Sequence, residues 1–294
     1  MEGKKVKFLV LGATGMAGHT ISLYLHEQGH DVTTFSKKQF KYCKNIIGDA
    51  NNKNFLVSMI QDKKYDIVIN CIGVLNQECD EEPSRAVYIN SYLPHLIADT
   101  LKHSNTKLIH MSTDCVFSGR TGLYSENSFR DGEAFYDRTK ALGEVEDSKN
   151  LTFRNSIVGP DLDEKGTGLF NWFMKQNGTI KGYTKAIWTG VTTLTLAKAI
   201  ERVATENITG IYNLVNNEYI SKYELLGLFN KHMKNNEITI LKNEDVNLNK
   251  SLVNNRKDFS FKVPTYDEMI IEMKKWINNH KEIYPHYFRM GELI

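Results

Sequence analysis

Short apolar runs and amphipathic stretches alternate along the first half of the chain. Strand-type runs fall at residues 6–11, 31–35, 44–47, 67–71, 107–111 and 151–153. Helical periodicity lies between them, over 54–61, 85–101 and 135–146. Strands alternating with helices in this way pack as a parallel sheet with right-handed crossovers and helices on both faces. Beyond Gly159-Pro160 the pattern loosens through 161–190, which is rich in glycine and threonine. It resumes with a helix at 194–205, a strand at 210–215, a helix at 222–233 and an amphipathic helix inside 259–284. No internal repeat is present, although 242–255 is rich in asparagine.

The first apolar run, Val6-Lys7-Phe8-Leu9-Val10-Leu11, opens directly into Gly12-Ala13-Thr14-Gly15-Met16-Ala17-Gly18. Ile21, Leu23, Tyr24 and Leu25 then continue as a helix. Strand, glycine loop and helix in that order form a phosphate-binding arrangement. The glycines permit a tight turn and close backbone approach, and the helix amino terminus faces a pyrophosphate. The spacing here is Gly-x-x-Gly-x-x-Gly rather than Gly-x-Gly-x-x-Gly. A second pattern lies downstream, in Tyr136-Asp137-Arg138-Thr139-Lys140 with Ser112-Thr113-Asp114 before it. Residues four apart share a helix face, so the phenol and the ammonium point into one space. A free tyrosine titrates near ~10, and a fixed positive charge close by favours the phenolate. Tyr136 is therefore a candidate proton donor or acceptor near neutral pH. A chance spacing on a surface helix is the alternative, which the glycine loop upstream disfavours.

Further motifs join these two: Asn70-Cys71-Ile72-Gly73, Met111-Ser112-Thr113-Asp114-Cys115-Val116-Phe117-Ser118-Gly119, Tyr124-Ser125-Glu126 and Gly143-Glu144. With them the chain resembles the extended short-chain dehydrogenase/reductases, and within these the dTDP-4-dehydrorhamnose reductase family. The second half matches only in outline. The resemblance implies an α/β, Rossmann-like, doubly wound parallel sheet with a smaller, discontinuous substrate domain. Residues 1–158 and 190–218 would form the dinucleotide-binding domain, and 159–189 with 219–294 the substrate-binding domain. It further implies that Gly12, Thr14, Gly15, Met16 and Gly18 hold the cofactor, with Asp49 at the adenine amine. Cys71, Ile72 and Gly73 would lie beside the nicotinamide ribose. Thr113 and Tyr136 would hydrogen-bond a substrate carbonyl, and Tyr136 would deliver a proton as hydride arrives. Lys140 would bind the ribose hydroxyls and hold the phenol's pKa down. Asn90 would complete the cofactor site and a proton relay, or else be a helix residue bonding backbone.

The choice of cofactor and substrate rests on fewer residues. In these folds an acid at the tip of the second strand holds the ribose 2′-hydroxyl of NAD. Here Asp31-Val32-Thr33-Thr34-Phe35 ends in Ser36-Lys37-Lys38, whose donors suit a 2′-phosphate. NADPH is therefore expected, with NADH the alternative. Related sugar-nucleotide dehydratases carry Thr-Asp-Glu where this chain has Thr113-Asp114-Cys115, and a thiol is a poor substitute for that base. The resemblance thus implies reduction of the C4 ketone of a nucleoside-diphosphate-linked 4-keto-6-deoxy sugar. Asn76, Gln77, Asp114, Trp188 and Arg256 are the expected substrate contacts, Trp188 by stacking and Arg256 on a phosphate. The stretches around Trp188 and Arg256 depart from the rhamnose-pathway pattern. That departure favours a UDP-linked 2-acetamido-4-keto-6-deoxy sugar of surface-polysaccharide synthesis over dTDP-4-dehydrorhamnose. Two other readings stay open. One is a sugar-nucleotide epimerase. The other is a non-catalytic partner like the regulatory subunit of methionine adenosyltransferase, which also resembles this family.

Composition narrows the classes. A chain of 294 residues with 41% hydrophobic content can bury a sizeable core. A net charge of +2 gives no case for nucleic acid or an anionic membrane surface. No apolar run approaches a membrane span, and residues 1–11 read as a first strand rather than a signal peptide. Cys43, Cys71, Cys79 and Cys115 lack paired metal-ligand spacing and read as reduced thiols of a cytoplasmic protein. No catalytic metal is expected, and the chain is expected to be a monomer or a homodimer.

Overall fold

The computed structural model describes residues 5–62, 64–289 and 292–293. In chain order its strands are β1 (Lys7–Leu11), β2 (Asp31–Ser36), β3 (Lys44–Ile47), β4 (Ile67–Asn70), β5 (Lys107–Met111) and β6 (Leu151–Arg154). There follow β7 (Ser156–Val158), β8 (Thr179–Trp188), β9 (Gly190–Thr192), β10 (Gly210–Asn213), β11 (Ile220–Ser221) and β12 (Thr239–Asn249). Seven of them form one sheet in the order β3-β2-β1-β4-β5-β6-β10, with every pairing parallel. Strand order reverses between β1 and β4, which is where ligands collect in doubly wound sheets. Phe8 to Leu11 of β1 are all buried, as a parallel sheet covered on both faces requires.

The flanking helices are α1 (Met16–Glu27), α2 (Lys53–Asp62), α3 (Asn76–Glu81), α4 (Pro83–Ala86), α5 (Leu93–Leu101), α6 (Phe135–Leu142), α7 (Leu169–Met174), α8 (Thr193–Val203), α9 (Lys222–Met233) and α10 (Tyr266–Asn279). The sequence pattern suggested one helix over 85–101, but α4 and α5 are separated by a π turn, Val87–Tyr92. Pro94 explains the break. It lacks an N–H, and its ring excludes the carbonyl four residues back, that of Asn90. That carbonyl is turned onto Gly143, where a Cβ would lie 1.8 Å from it. The same glycine ends α6 four residues short of the expected 146, and Glu144 turns into the interior.

The second half adds a three-stranded sheet, with β8 between antiparallel β11 and parallel β12. Helices α9 and α10 each begin with a reciprocal capping box, Ser221 with Glu224 and Thr265 with Glu268. Phe170, Phe229 and Met273 share one apolar core with Ile21 and Leu25 of α1. The segment after β12 is stitched to the loop after β5. Tyr124 N–H donates to the Ser251 carbonyl at 2.9 Å, and Val253 N–H to the Tyr124 carbonyl at 3.0 Å. This seam brings the second half over the carboxyl ends of the central strands.

Candidate active site

The carboxyl ends of β1, β2 and β4 open onto a cleft of about 660 Å³. Gly12, at φ +86, forms its floor and donates its N–H to the Phe35 carbonyl at 2.8 Å. A Cβ at Gly12 would meet the Cys71 backbone at 3.1 Å, so a side chain there would fill the cradle. Helix α1 starts at Gly15 with no side-chain cap, which leaves its first N–H groups for a ligand. An uncapped helix end behind a glycine turn fits a pyrophosphate. Thr14 and Gly15 line the cleft beside Gly12, and Cys71, Ile72 and Gly73 line it from the β4 side. Met16 and Gly18 lie outside its wall. Gly18 has a packing reason instead, since a Cβ there would come within 2.2 Å of the Gly12 carbonyl oxygen.

At the β2 end the cleft is lined by Ser36, Lys37, Lys38 and Asp49. Lys37 pairs with Asp49 at 3.1 Å, and among the described residues Lys38 has no ion-pair partner. The Ser36 hydroxyl is already engaged, donating to the Lys38 carbonyl at 2.7 Å and accepting from Asn45 at 3.0 Å. Arg85 and the acidic pair Asp163-Glu164 also wall the cleft. No local motif marks these three positions. They arrive from a helix start and from the loosely patterned stretch after Gly159.

Beyond β5 the chain turns into a short 3₁₀ turn, Asp114–Val116, capped by Thr113. The Thr113 hydroxyl accepts from Cys115 N–H and donates to Asp114 Oδ1, each at 3.1 Å. Tyr136, on the first turn of α6, holds its phenol within reach of that hydroxyl. Burial pushes the phenol's pKa above the ordinary tyrosine value, and Cys115 and Asp114 add to the shift, against the pull of the Thr113 hydrogen bond. The expected lowering by Lys140 is therefore corrected. The Lys140 ammonium donates to the Met111 carbonyl at 2.7 Å, and its own pKa is pushed down to about 8 by burial. Desolvation outweighs the charge, and Tyr136 stays protonated at neutral pH. It is placed as a donor.

Two buried polar networks brace this pair from behind. Ser112, next to Thr113, donates to Glu144 Oε1 at 2.6 Å. Glu144 in turn holds the fully buried Arg154 through bonds of 2.9 and 2.7 Å and also meets Arg130. Asn90 accepts from Val74 N–H and donates to the Val74 carbonyl, both at 2.9 Å, and reaches Thr139 Oγ1 at 3.2 Å. Its amide ties the loop after β4 to the tyrosine helix.

The expected substrate contacts fare unevenly. Asp114 is buried beside Thr113. Asn76 and Gln77 begin α3 in exposed positions, with Gln77 bonded to Glu81 at 2.8 Å. Trp188 must be corrected, because it is only 2% exposed and packs on Tyr266 in the core, where it cannot stack on a ligand ring. Arg256 must be corrected too. It donates to the Thr209 and Ile211 carbonyls at 2.6 and 2.7 Å and pairs with Asp258. Those carbonyls flank the start of β10, so Arg256 sits at the amino edge of the sheet, opposite the cleft. Sequence reasoning missed Lys222 and Lys250, whose charges act on Asp114. His26 and His30 have a four-residue spacing seen in metal pairs, but His30 bonds Glu201 at 3.2 Å. Among the described residues no cluster of three or more His, Cys, Asp or Glu is placed to hold a metal.

Comparison with known proteins gives three findings. A family model described as the RmlD substrate binding domain matches residues 6–248. The probable low-salt glycan biosynthesis reductase of Haloferax volcanii is 31% identical over 139 residues, which cover 46% of each chain. The chain thus spans about half the length of that curated relative. The β subunit of methionine adenosyltransferase 2 from Xenopus laevis is 25% identical over 234 residues, covering 74% of this chain and 69% of that protein. Among solved structures, a dTDP-4-dehydrorhamnose reductase of Bacillus anthracis, in complex with NADP, superposes with a TM-score of 0.78 at 20% identity. It covers 92% of this chain and 99% of its own. That likeness establishes the Rossmann-like α/β fold expected from the strand–helix alternation.

Proposed function

This chain belongs to the RmlD substrate-binding-domain family, and from that premise we propose that it is a nicotinamide-dependent sugar-nucleotide reductase. Its reaction is reduction of the C4 ketone of a 4-keto-6-deoxy sugar carried on a nucleoside diphosphate, dTDP-linked or, with a 2-acetamido group, UDP-linked, in polysaccharide synthesis. The observation that carries this reading is Tyr136 of α6 set within reach of the Thr113 hydroxyl at the carboxyl edge of the sheet, on the same side as the glycine-loop cleft. The chemistry that the nicotinamide supplies when bound is hydride. Tyr136 gives its proton to the carbonyl oxygen, and Thr113, by turning its single O–H away from Asp114 Oδ1, donates a second hydrogen bond to the charge developing there. Gly12 and Gly15 would cradle the pyrophosphate, and the Lys140 ammonium would bind the ribose hydroxyls. Cys115, whose thiol burial pushes up to about 12, is no base at neutral pH, which disfavours the elimination run by dehydratases.

The test is cofactor oxidation, followed at its absorbance, with a small panel of dTDP- and UDP-linked 4-keto-6-deoxy sugars. Consumption with at least one sugar is expected. Tight NADPH binding with no consumption across the panel would favour a regulatory-subunit role, the second reading, supported by the longer match to the methionine adenosyltransferase subunit.

Two further outcomes follow from the site. Lys140 loses its proton near pH 8, so kcat/KM is expected to fall above that pH as the ribose loses its cationic partner. Lys140→Arg, which stays charged, should remove that alkaline limb. A parent profile flat to about pH 10, the ordinary range of lysine, would sink the assignment. Lys38→Ala should weaken NADPH roughly tenfold more than NADH, the modest scale of an exposed charge contact. Lys37→Ala should also penalise NADPH, because it leaves the Asp49 carboxylate unpaired in the same end of the cleft. Equal effects on both cofactors, read by titration of protein fluorescence, would mean that the lysines do not meet a 2′-phosphate.

A further inference from the structure

Lys222 stands out among the charged groups near Tyr136. It begins α9, in the second half of the chain, and lies half-buried. Its ammonium sits 5.2 Å from the centre of the Trp188 ring, on whose face the cation is held. Among the described residues it makes no hydrogen bond and no ion pair, although its charge is felt at Asp114 and Cys115. A half-buried ammonium with three donors and no protein acceptor leaves those donors to water or to a ligand. On the facing side, Asp114 accepts from the Thr113 hydroxyl and is also met by the Cys115 side chain, and among the described residues no cation lies within ion-pair distance of it. The two charges therefore attract across a gap rather than in contact. Lys250, the other cation here, is held by Asp137 at 3.6 Å.

The charges around the gap balance, with Lys222 and Lys250 against Asp114 and Asp137. Such a site does not select an extra phosphate or carboxylate. It suits a neutral group that both accepts and donates, which is the definition of a hydroxyl. In a 4-keto-6-deoxy pyranose, C5 carries the methyl group, so the hydroxyl vicinal to the reacting carbonyl is the one on C3.

We propose that Lys222 and Asp114 together grip the hydroxyl vicinal to the reacting carbonyl, the ammonium donating to its oxygen and the carboxylate accepting its proton. The inference rests on the reductase reading above and adds to it a specificity-determining residue. Lys222 is contributed by the second half of the chain and Asp114 by the first, so the grip is built from both. Trp188, too buried to touch a ligand, serves as the platform that holds the ammonium in place.

Lys222→Met keeps the stem on Trp188 and removes the charge. With the best sugar nucleotide of the panel, kcat/KM should fall about ten- to hundredfold, the scale of a hydrogen bond to a charged group. NADPH binding should stay within about twofold, since the loss falls on sugar recognition. A 3-deoxy substrate supplies the second arm. The parent should lose a similar factor on that substrate, and the variant little more, because the two changes remove one interaction. Additive losses, or an unchanged kcat/KM in Lys222→Met, would overturn the proposal while leaving the reductase reading intact. A parent that reduces no sugar of the panel would overturn both. Should Lys222→Met lose cofactor binding as well, Lys222→Gln is judged by the same cycle.

Discussion

Tyr136→Phe is expected to bind NADPH as the parent does and to turn over about 100-fold more slowly or worse, the usual scale for losing a general acid. The size of the loss follows from where the phenol lies. Burial keeps it protonated at neutral pH, and its hydroxyl lies within reach of Thr113. Without it, the oxyanion formed by hydride addition would lose its positioned proton source and keep only the Thr113 hydroxyl, once that turns from Asp114. The phenyl ring fills the same space, so α6 should not shift. Single-turnover reduction, with cofactor binding measured separately, separates the two effects. A variant that reduces substrate at nearly the parent rate would remove Tyr136 from the role of donor, and water or Asp114 would have to replace it.

The parts of this picture legible in the sequence are those built from neighbours along the chain. Val6 to Gly18 carries its own strand, turn and helix start, and the cleft at its end follows from that local order. The parts that misled depend on partners far away. Trp188 looked free for a ligand beside Gly190 and the threonines, but Tyr266, 78 positions on, covers it. Arg256 looked like a phosphate grip, yet its geometry is set by the carbonyls around Gly210. The four-residue spacing puts Lys140 on the same face of α6 as Tyr136. The spacing says nothing of the Met111 carbonyl, 29 positions back, that takes its proton bond. Lys222 sits in an ordinary capping box and gives no local sign of its place near Asp114. The break at Val87–Tyr92 was legible in principle, since Pro94 falls inside the apolar period.

Glu144→Ala is expected to cost about 3–5 kcal/mol of folding stability, the scale of breaking a buried ion pair by removing one partner. Arg154 has no exposed surface. Once Glu144 is gone, its remaining acceptors are the Ser125 and Glu126 carbonyls and Asn213 Oδ1, at 3.4 to 3.5 Å. None of these neutralises a guanidinium. The pH dependence has a definite sign. Burial pushes the Glu144 carboxyl up, but Arg154, Ser112 and Arg130 outweigh it and hold the pKa below its ordinary 4.5. A depressed folded-state pKa contributes stability that is present above 4.5 and is lost as the pH falls through the folded value. Urea denaturation of parent and variant should therefore show a gap that is full at neutral pH and narrows below that range. The same carboxylate anchors Ser112, one residue from Thr113, so Glu144→Gln, which can still accept a hydrogen bond, should lower kcat while leaving cofactor affinity near that of the parent. A gap under about 1 kcal/mol at neutral pH, no larger than an exposed pair would give, would mean that Arg154 finds solvent in the variant. In that case the network would not be what holds Thr113 against Tyr136.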